Sequence, residues 1–306
     1  MPEFLPLRTL PSRLPPALRR WLPAIPPPTA RNLWLATASL VISHNLWVIH
    51  ATQRSNQLLV FVLVCWWGAL TCMEDQFEEL RPSPSLPGMV AGLVLLGWCL
   101  LRSGLIVDQD GLVQILPLLE TLALALLCVP IRRLGHFHQQ FLVMSLIPLR
   151  LVADRLLPEL QISLMTARLT HFWLSTLGMP VIREQRVISF GESAVSVEGP
   201  CNGLDQIIFL MAIALIFLLA FPLRRWKHRL LILLAAPFIA FVGNSLRISL
   251  LALFNLMGGS NGRWWFDFFH TQEGSLIFAA ISSSLLGWFY LKLIDRELGP
   301  PPPADA

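Results

Sequence analysis

Long apolar runs with almost no charge most strongly limit how this chain can fold. Eight such runs occur in the 306 residues; six contain no aspartate, glutamate, lysine or arginine, and the other two contain only Glu120 or Arg247. A helix that crosses a bilayer needs about 20 apolar residues, with about 17 to 25 as the usual range, so the run at 134–149 is the least typical span. The predicted spans are residues 32–53, 55–73, 82–101, 111–131, 134–149, 206–223, 230–257 and 274–291.

The overall composition excludes an ordinary soluble protein. Hydrophobic residues make up 55% of the chain and charged residues 14%, whereas soluble domains carry about 25% charged residues. The net charge is only +4, and the basic residues lie between apolar runs and form no continuous stripe, so nucleic acid is not an expected partner. We predict an all-α integral membrane protein with about eight transmembrane helices.

The distribution of basic residues predicts the orientation. With the N-terminus inside, 14 lysines and arginines fall on inner segments and eight on outer segments, and the cluster RRWKHR at 224–229 joins two close spans. Because cytoplasmic loops are enriched in these residues, both termini are predicted to be cytoplasmic.

Three segments follow from this layout. Residues 1–31 form a Pro- and Arg-rich cytoplasmic tail, residues 32–293 the membrane domain and residues 294–306 a second, Pro-rich tail. The longest interruption, residues 150–200, lies outside before the sixth span. Its first part has a helical pattern that suits the membrane surface, and the short alternating stretches between 179 and 197 predict a small hairpin.

Cys201 is the strongest candidate nucleophile. It opens the sixth span in the sequence EGPCNGLDQ. A thiol at a helix N-terminus faces unpaired N–H groups, which favour the reactive thiolate. A buried cysteine that only packs at the start of the helix is the structural alternative.

Two polar groups in the seventh span and a histidine before the eighth complete the candidates. Asn244 and Arg247 are three residues apart on one helix face, and His270 follows an aromatic segment on the same predicted side as Cys201. Arginine can stabilise an oxyanion and histidine can transfer protons near neutral pH. Arg247 could instead pair with Asp205, and the aromatic segment with its histidine could simply form an interfacial belt.

Other site classes have little support in the sequence. The remaining histidines lack cysteine or carboxylate neighbours at ligand spacing, so we predict no metal site, and nucleotide-binding glycine patterns are absent, so we predict no cofactor. The five cysteines are too scattered for a disulfide framework. Glu120 is a lone carboxylate in the middle of a span, and the sequence assigns it no role.

Three motifs together, EGPCNGLDQ, NSLR and FFHTQEG, resemble those of the exosortase/archaeosortase family. The general layout agrees over roughly residues 33–293, although the motifs occupy only the last third. The asparagine after the cysteine departs from the serine of many members and most resembles the cyanobacterial branch, the cyanoexosortases. The resemblance implies a membrane cysteine transpeptidase that processes exported proteins with a C-terminal sorting signal of the PEP-CTERM kind. The location that it implies is the bacterial inner membrane, crossed many times, with the active site on the extracytoplasmic side.

The same resemblance implies a role for each motif residue. Cys201 would form a thioester, Arg247 would stabilise the oxyanion and His270 would transfer protons. Asn244, Asn202 and Gly203 would support the substrate or the oxyanion. Such a signal carries a membrane helix and a basic tail, so the acidic groups Glu74, Asp75, Glu78 and Glu79 are a hypothetical recognition loop.

Two other functions stay open at the level of the sequence. A transporter could use Arg247, Asp205 and Glu120 to line a path, although no internal repeat is visible. A membrane acyltransferase could use Cys201 on a lipid donor, since it shares the thioester step.

Overall fold

The computed structural model describes residues 29–53, 56–73, 82–106, 111–156, 159–191 and 193–298. Helices dominate these residues, with two short 3₁₀ segments, η1 and η2, and a small sheet. The helices are α1 (Ala30–Gln53), α2 (Asn56–Thr71), α3 (Leu86–Ser103), α4 (Leu112–Cys128), η1 (Ile131–Phe137), α5 (His138–Leu156), α6 (Glu159–Thr176), η2 (Gly199–Cys201), α7 (Leu204–Ala220), α8 (Trp226–Met257), α9 (Gly259–His270) and α10 (Gln272–Leu298).

Helices occur in all eight predicted runs, but they differ in how well they suit a bilayer. Four, at Ala30–Thr52, Leu86–Ser103, Trp226–Met257 and Glu273–Leu298, are long and apolar enough to cross one. Helices α2, α4 and α7 are apolar but have only 16 or 17 residues. The protein is therefore a helical membrane protein, while the number of eight spans and their orientation stay predictions.

Large apolar side chains cover much of the outside of the helices. Leu40, Phe238 and Trp288 expose 72%, 68% and 57% of their surfaces. Contiguous apolar exteriors are unusual on soluble proteins and are the normal state of helices that face lipid. The surface thus agrees with the composition.

Three hydrophobic cores hold the described helices together. The first lies between α1, α2, α4 and α5 and includes one side of α7. The second joins α6, the small sheet, Cys201 and the C-terminal half of α8, and the third joins α7, α8 and α10. Because α8 contributes to both of the last two cores, it connects the sheet to the C-terminal helices.

The segment after α6 forms a sheet of three strands, which corrects the all-α expectation. Strands β1 (Ile182–Glu184), β2 (Val187–Phe190) and β3 (Ser193–Ser196) pair antiparallel in sequence order. The two stretches of the predicted hairpin both lie in this sheet: residues 193–199 contain β3, and residues 181–190 form two strands, β1 and β2, where one was expected. Ile188, Phe190 and Val195 are buried because alternate residues of a strand face one side, and here that side packs on the second core.

Some expectations fall on residues outside the described ranges. The hypothetical recognition loop at Glu74, Asp75, Glu78 and Glu79 is one of them. Residues 1–28 and 299–306, which make up most of the two predicted tails, are also outside. Within the described residues, α1 begins at Ala30 and α10 continues to Leu298.

Candidate active site

Cys201 lies in a tight turn between β3 and α7. It is the last residue of η2, and Gly203 follows with φ +92° before α7 begins at Leu204. A Cβ at Gly203 would lie 2.7 Å from Asn244 Nδ2, so both the left-handed backbone and the close contact require glycine. Asn202 Oδ1 accepts a hydrogen bond from the Leu204 N–H at 2.9 Å and so pairs one of the free N–H groups at the start of α7.

Side chains from two helices fix the backbone of this turn. Asn244 Nδ2 on α8 donates to the Cys201 carbonyl oxygen at 2.9 Å. Thr166 Oγ1 on α6 donates to the Asn202 carbonyl oxygen at 2.8 Å. Asn202, Asn244 and Thr166 are all buried, so water cannot replace these bonds. The orientation of two consecutive peptide groups at the cysteine therefore depends on α6 and α8.

Arg247 connects the cysteine turn, residues 199–203, to the histidine turn, residues 269–271, where α9 ends before α10. Its Nε donates to the Phe269 carbonyl oxygen at 3.0 Å and its Nη2 donates to the His270 carbonyl oxygen at 3.1 Å. Its Nη1 is 3.5 Å from Asn244 Oδ1, at the long limit for a hydrogen bond. The guanidinium thus holds the end of α9 with two donors and reaches Asn244, which in turn holds Cys201.

His270 ends α9, which folds back against the start of α10. A Cβ at Gly274 would lie 2.3 Å from the Phe269 Cα, so glycine is required for this close approach. The His270 ring stacks on Phe266, with centroids 5.3 Å apart and planes 13° apart. Phe254 of α8 stacks on Phe269 and fixes α9 from the other side.

The electrostatic environment of Cys201 differs from the sequence prediction. The residue is only 8% exposed. This burial raises the pKa of the thiol above its ordinary value, with the Arg247 cation opposing the shift and Glu198 adding to it. The helix N-terminus was expected to favour the thiolate, but burial outweighs it. The resting nucleophile is a thiol.

The pKa of His270 shifts in the opposite direction to that of Cys201. Partial burial of the imidazole and then the Arg247 cation lower its pKa below the ordinary 6.5, against the opposing effect of Asp267. The ring is therefore neutral at pH 7 and can accept a proton. A neutral thiol and a neutral imidazole form an acid–base pair suited to proton transfer when a substrate is bound.

The structure brings the six candidates from the sequence into one region. Asn202 and Gly203 follow Cys201 in the turn, and Asn244 donates to the Cys201 carbonyl oxygen and packs against Gly203. Arg247 joins Asn244 to the carbonyl oxygen of His270. The sequence prediction missed Thr166, and it missed that the Arg247 donors hold backbone carbonyls. A signal for Thr166 existed, since Ser163, Thr166 and Thr170 repeat at helical spacing and all three are buried.

Replacing Thr166 with valine tests whether its hydroxyl positions the turn. We expect Thr166→Val to slow the conversion of substrate about tenfold, since a buried carbonyl that loses its donor costs about 1–3 kcal/mol. Thr166→Ser keeps the hydroxyl and should retain most of the activity. Rates are measured at equal membrane abundance; equal losses in both variants would mean that the methyl group, and not the hydrogen bond, matters.

Comparisons with known proteins identify one family. Residues 27–287 match the family model described as transmembrane exosortase (Exosortase_EpsH). No curated protein and no solved structure gives a significant match. The matched range contains the cysteine turn, the arginine of α8 and the histidine turn.

Proposed function

Because the chain belongs to the transmembrane exosortase family, a membrane protein family implicated in the processing of sorting signals, we propose that it is a cysteine peptidase and transpeptidase. Its substrates are exported proteins that end in a sorting signal of the PEP-CTERM kind, with a membrane helix and a basic tail. The enzyme cuts the signal through a thioester at Cys201. The assignment to the cyanobacterial branch stays a prediction.

The observation that carries this proposal is the Arg247 clamp. Among the described residues it joins the cysteine turn, through Asn244, to the carbonyls of Phe269 and His270. Burying an arginine costs free energy unless its N–H donors are paired. An arginine buried between a thiol and a histidine therefore favours a functional site over simple packing. The hydrogen bonds use main-chain carbonyls at Cys201 and His270, and the positive charge of Arg247 acts on both the Cys201 thiol and the His270 imidazole.

The first step transfers the acyl group of the substrate to the enzyme. His270 takes the proton of the Cys201 thiol as the sulfur attacks the scissile carbonyl carbon. The carbonyl oxygen becomes an oxyanion, which the positive charge of Arg247 stabilises. When the C–N bond breaks, His270 returns the proton to the leaving amine, and the helix and its tail depart. The exported part stays bound to Cys201 as a thioester.

The second step releases the exported part. An acceptor with an N–H or O–H group attacks the thioester carbonyl, and His270 removes its proton. The C–S bond breaks, and the proton passes to the sulfur to restore the thiol. Asn244 and Thr166 act as positioning residues throughout, since they hold the turn and do not touch the substrate. Asn202 and Gly203 shape the same turn.

The arrangement of charges fits a transporter less well than it fits a cysteine transpeptidase. Glu120 is fully buried near His44, with 3.9 Å between its Oε1 and His44 Nδ1, and packs among α1, α3 and α4. Arg247 holds the end of α9, and neither residue lines the cavity that Asp205 lines. The three charges therefore do not follow one path. A membrane acyltransferase shares the thioester and differs only in its donor.

Product analysis tests the proposal against both alternatives. A PEP-CTERM protein encoded by the same genome is co-expressed with the enzyme, and both fragments are identified by mass spectrometry. A cysteine transpeptidase cuts the chain near its C-terminal helix and leaves a new C-terminus on the exported part. An acyltransferase would leave the polypeptide intact and add a lipid acyl group. Intact, unmodified substrate at full enzyme abundance would contradict the proposal.

The rate of thioester formation should depend on pH in a way set by His270. The base must be neutral to act, and its pKa lies below 6.5. The rate should therefore rise with pH below 6.5, which is the acid limb of the profile, and stay constant beyond neutrality. Cys201 starts as a thiol up to at least its ordinary pKa of 9.0, so no separate thiolate limb should appear below that pH. In His270→Ala the acid limb should vanish and the residual rate should rise only above pH 9.0. An unchanged acid limb in that variant would remove His270 from proton transfer.

A further inference from the structure

A cavity lies between α2, α4, α5, α7 and α10, and its wall includes residues that follow the cysteine turn and the histidine turn in sequence. It offers about 50 Å³ to water-sized groups and is partly open to the surroundings. One water needs about 10–15 Å³ on this measure, so the cavity can hold the end group of a ligand whose remainder lies outside the opening. Apolar side chains form most of its wall, and the polar side chains in it are Gln57, Gln114, Asp205, Gln206 and Ser275.

Two parts of the cavity wall directly follow the cysteine turn and the histidine turn in the sequence. Asp205 and Gln206 lie on the first turn of α7, directly after the cysteine turn. Ser275 lies on the first turn of α10, directly after the histidine turn. The helices that directly follow the thiol and the imidazole in the chain, α7 and α10, therefore form two of its walls.

Among the described residues, one acceptor in its wall, Gln114 Oε1, lacks a hydrogen-bond donor. Gln57 Nε2 donates to Ser275 Oγ, and Gln206 Nε2 donates to Ser282 Oγ at 3.0 Å and to the Phe278 carbonyl oxygen at 3.3 Å, so these amide donors are already used. Gln114 Oε1 is buried and, within the described part of the chain, accepts no hydrogen bond. Buried acceptors are costly when unpaired. A ligand with an N–H group would pair it.

We propose that this cavity binds the acceptor of the second step, a compound with a primary amine. This inference rests on the proposed function and names its second substrate. An amine supplies the donor that Gln114 Oε1 requires, and the Asp205 carboxylate in the wall makes an acidic peptide a poor occupant. The amine nitrogen attacks the thioester carbonyl, an amide C–N bond forms and the C–S bond breaks. One proton of the amine passes through His270 to the sulfur, so no further reactant is needed.

The test separates cleavage from release in Gln114→Leu. The full-length variant in membranes is given a PEP-CTERM protein from the same genome, and the C-terminal fragment and the covalent enzyme adduct are followed separately. Gln114→Leu should form the thioester at a rate within about twofold of native and release it about tenfold more slowly, as expected for one lost hydrogen bond. The adduct therefore accumulates. Hydroxylamine, a small nucleophile that needs no binding cavity, should restore release.

A matched control and a second variant complete the experiment. Gln140 also has a buried, unpaired Oε1, but it lies on α5 away from this cavity, so Gln140→Leu should behave like native enzyme. Gln57→Leu changes the opposite wall and should accumulate the adduct even if Gln114→Leu is poorly inserted. Native release rates in both cavity variants, equal accumulation in Gln140→Leu, or a free carboxylic acid as the native product would overturn the inference. Cleavage that persists in Cys201→Ala without any adduct would instead overturn the proposed function itself.

Discussion

Replacing Cys201 with alanine should abolish processing of the sorting signal. The variant lacks the atom that forms the thioester, and loss of a nucleophile in hydrolases lowers the rate by about 10⁴-fold or more. The measurement compares cleavage of a co-expressed PEP-CTERM protein in native and variant membranes at equal enzyme abundance. Full-length substrate should persist in the variant.

Two further substitutions make this result specific. Cys128 is also a free, buried cysteine, but it ends α4 in the first core, so Cys128→Ala should leave cleavage unchanged. Cys201→Ser keeps a nucleophilic atom of similar size and should retain at most a trace of activity, with the substrate held as a slowly released ester. If Cys201→Ala cleaves as fast as native enzyme, the thiol mechanism is wrong.

Changes at Arg247 should have the next largest effect. Arg247→Lys keeps a positive charge but loses the two-donor fork that holds the Phe269 and His270 carbonyls. Lysine cannot reproduce that geometry, and small displacements of reacting groups can cost about 100-fold in rate. We therefore expect about that loss in Arg247→Lys, and a larger one in Arg247→Gln, which also loses the charge.

The pH dependence distinguishes these two roles of Arg247. The cation lowers the pKa of His270, so its removal in Arg247→Gln should raise that pKa and shift the acid limb of the rate to higher pH. Arg247→Lys should keep the limb near its native position. Equal limbs in native enzyme and Arg247→Gln would show that the charge does not act on His270, and Arg247 would then be only a structural clamp.

Membrane helices were the most predictable part of this fold, because each is encoded by consecutive residues. Helices occur in all eight predicted runs, including the one that contains Arg247. The division of residues 181–190 into β1 and β2 was not predicted. It depends on a turn at Gln185, which has φ 53°, and residues 184–186 contain no glycine, proline, asparagine or aspartate that would mark a turn. The family assignment from the three motifs is confirmed by the match over residues 27–287.

The site was predictable in its residues and not in its electrostatics. Cys201, Arg247 and His270 are separated by long stretches of sequence, and their motifs were enough to group them. The pKa of Cys201 depends on burial under the sheet and beside α8, which no local pattern contains. The Thr166 contact likewise requires α6 to pack next to the turn. Tertiary packing therefore decides which protonation state the nucleophile starts from.

The most direct test of the central claim is identification of the covalent intermediate. Native enzyme in membranes is mixed with a PEP-CTERM protein from the same genome, quenched in acid and digested, and the peptide that contains Cys201 is analysed by mass spectrometry. The account predicts an adduct on Cys201 that has the mass of the acyl segment of the substrate, is removed by hydroxylamine and is absent in Cys201→Ala. Cleaved substrate with an unmodified Cys201 throughout the reaction, together with undiminished cleavage in Cys201→Ala, would contradict it.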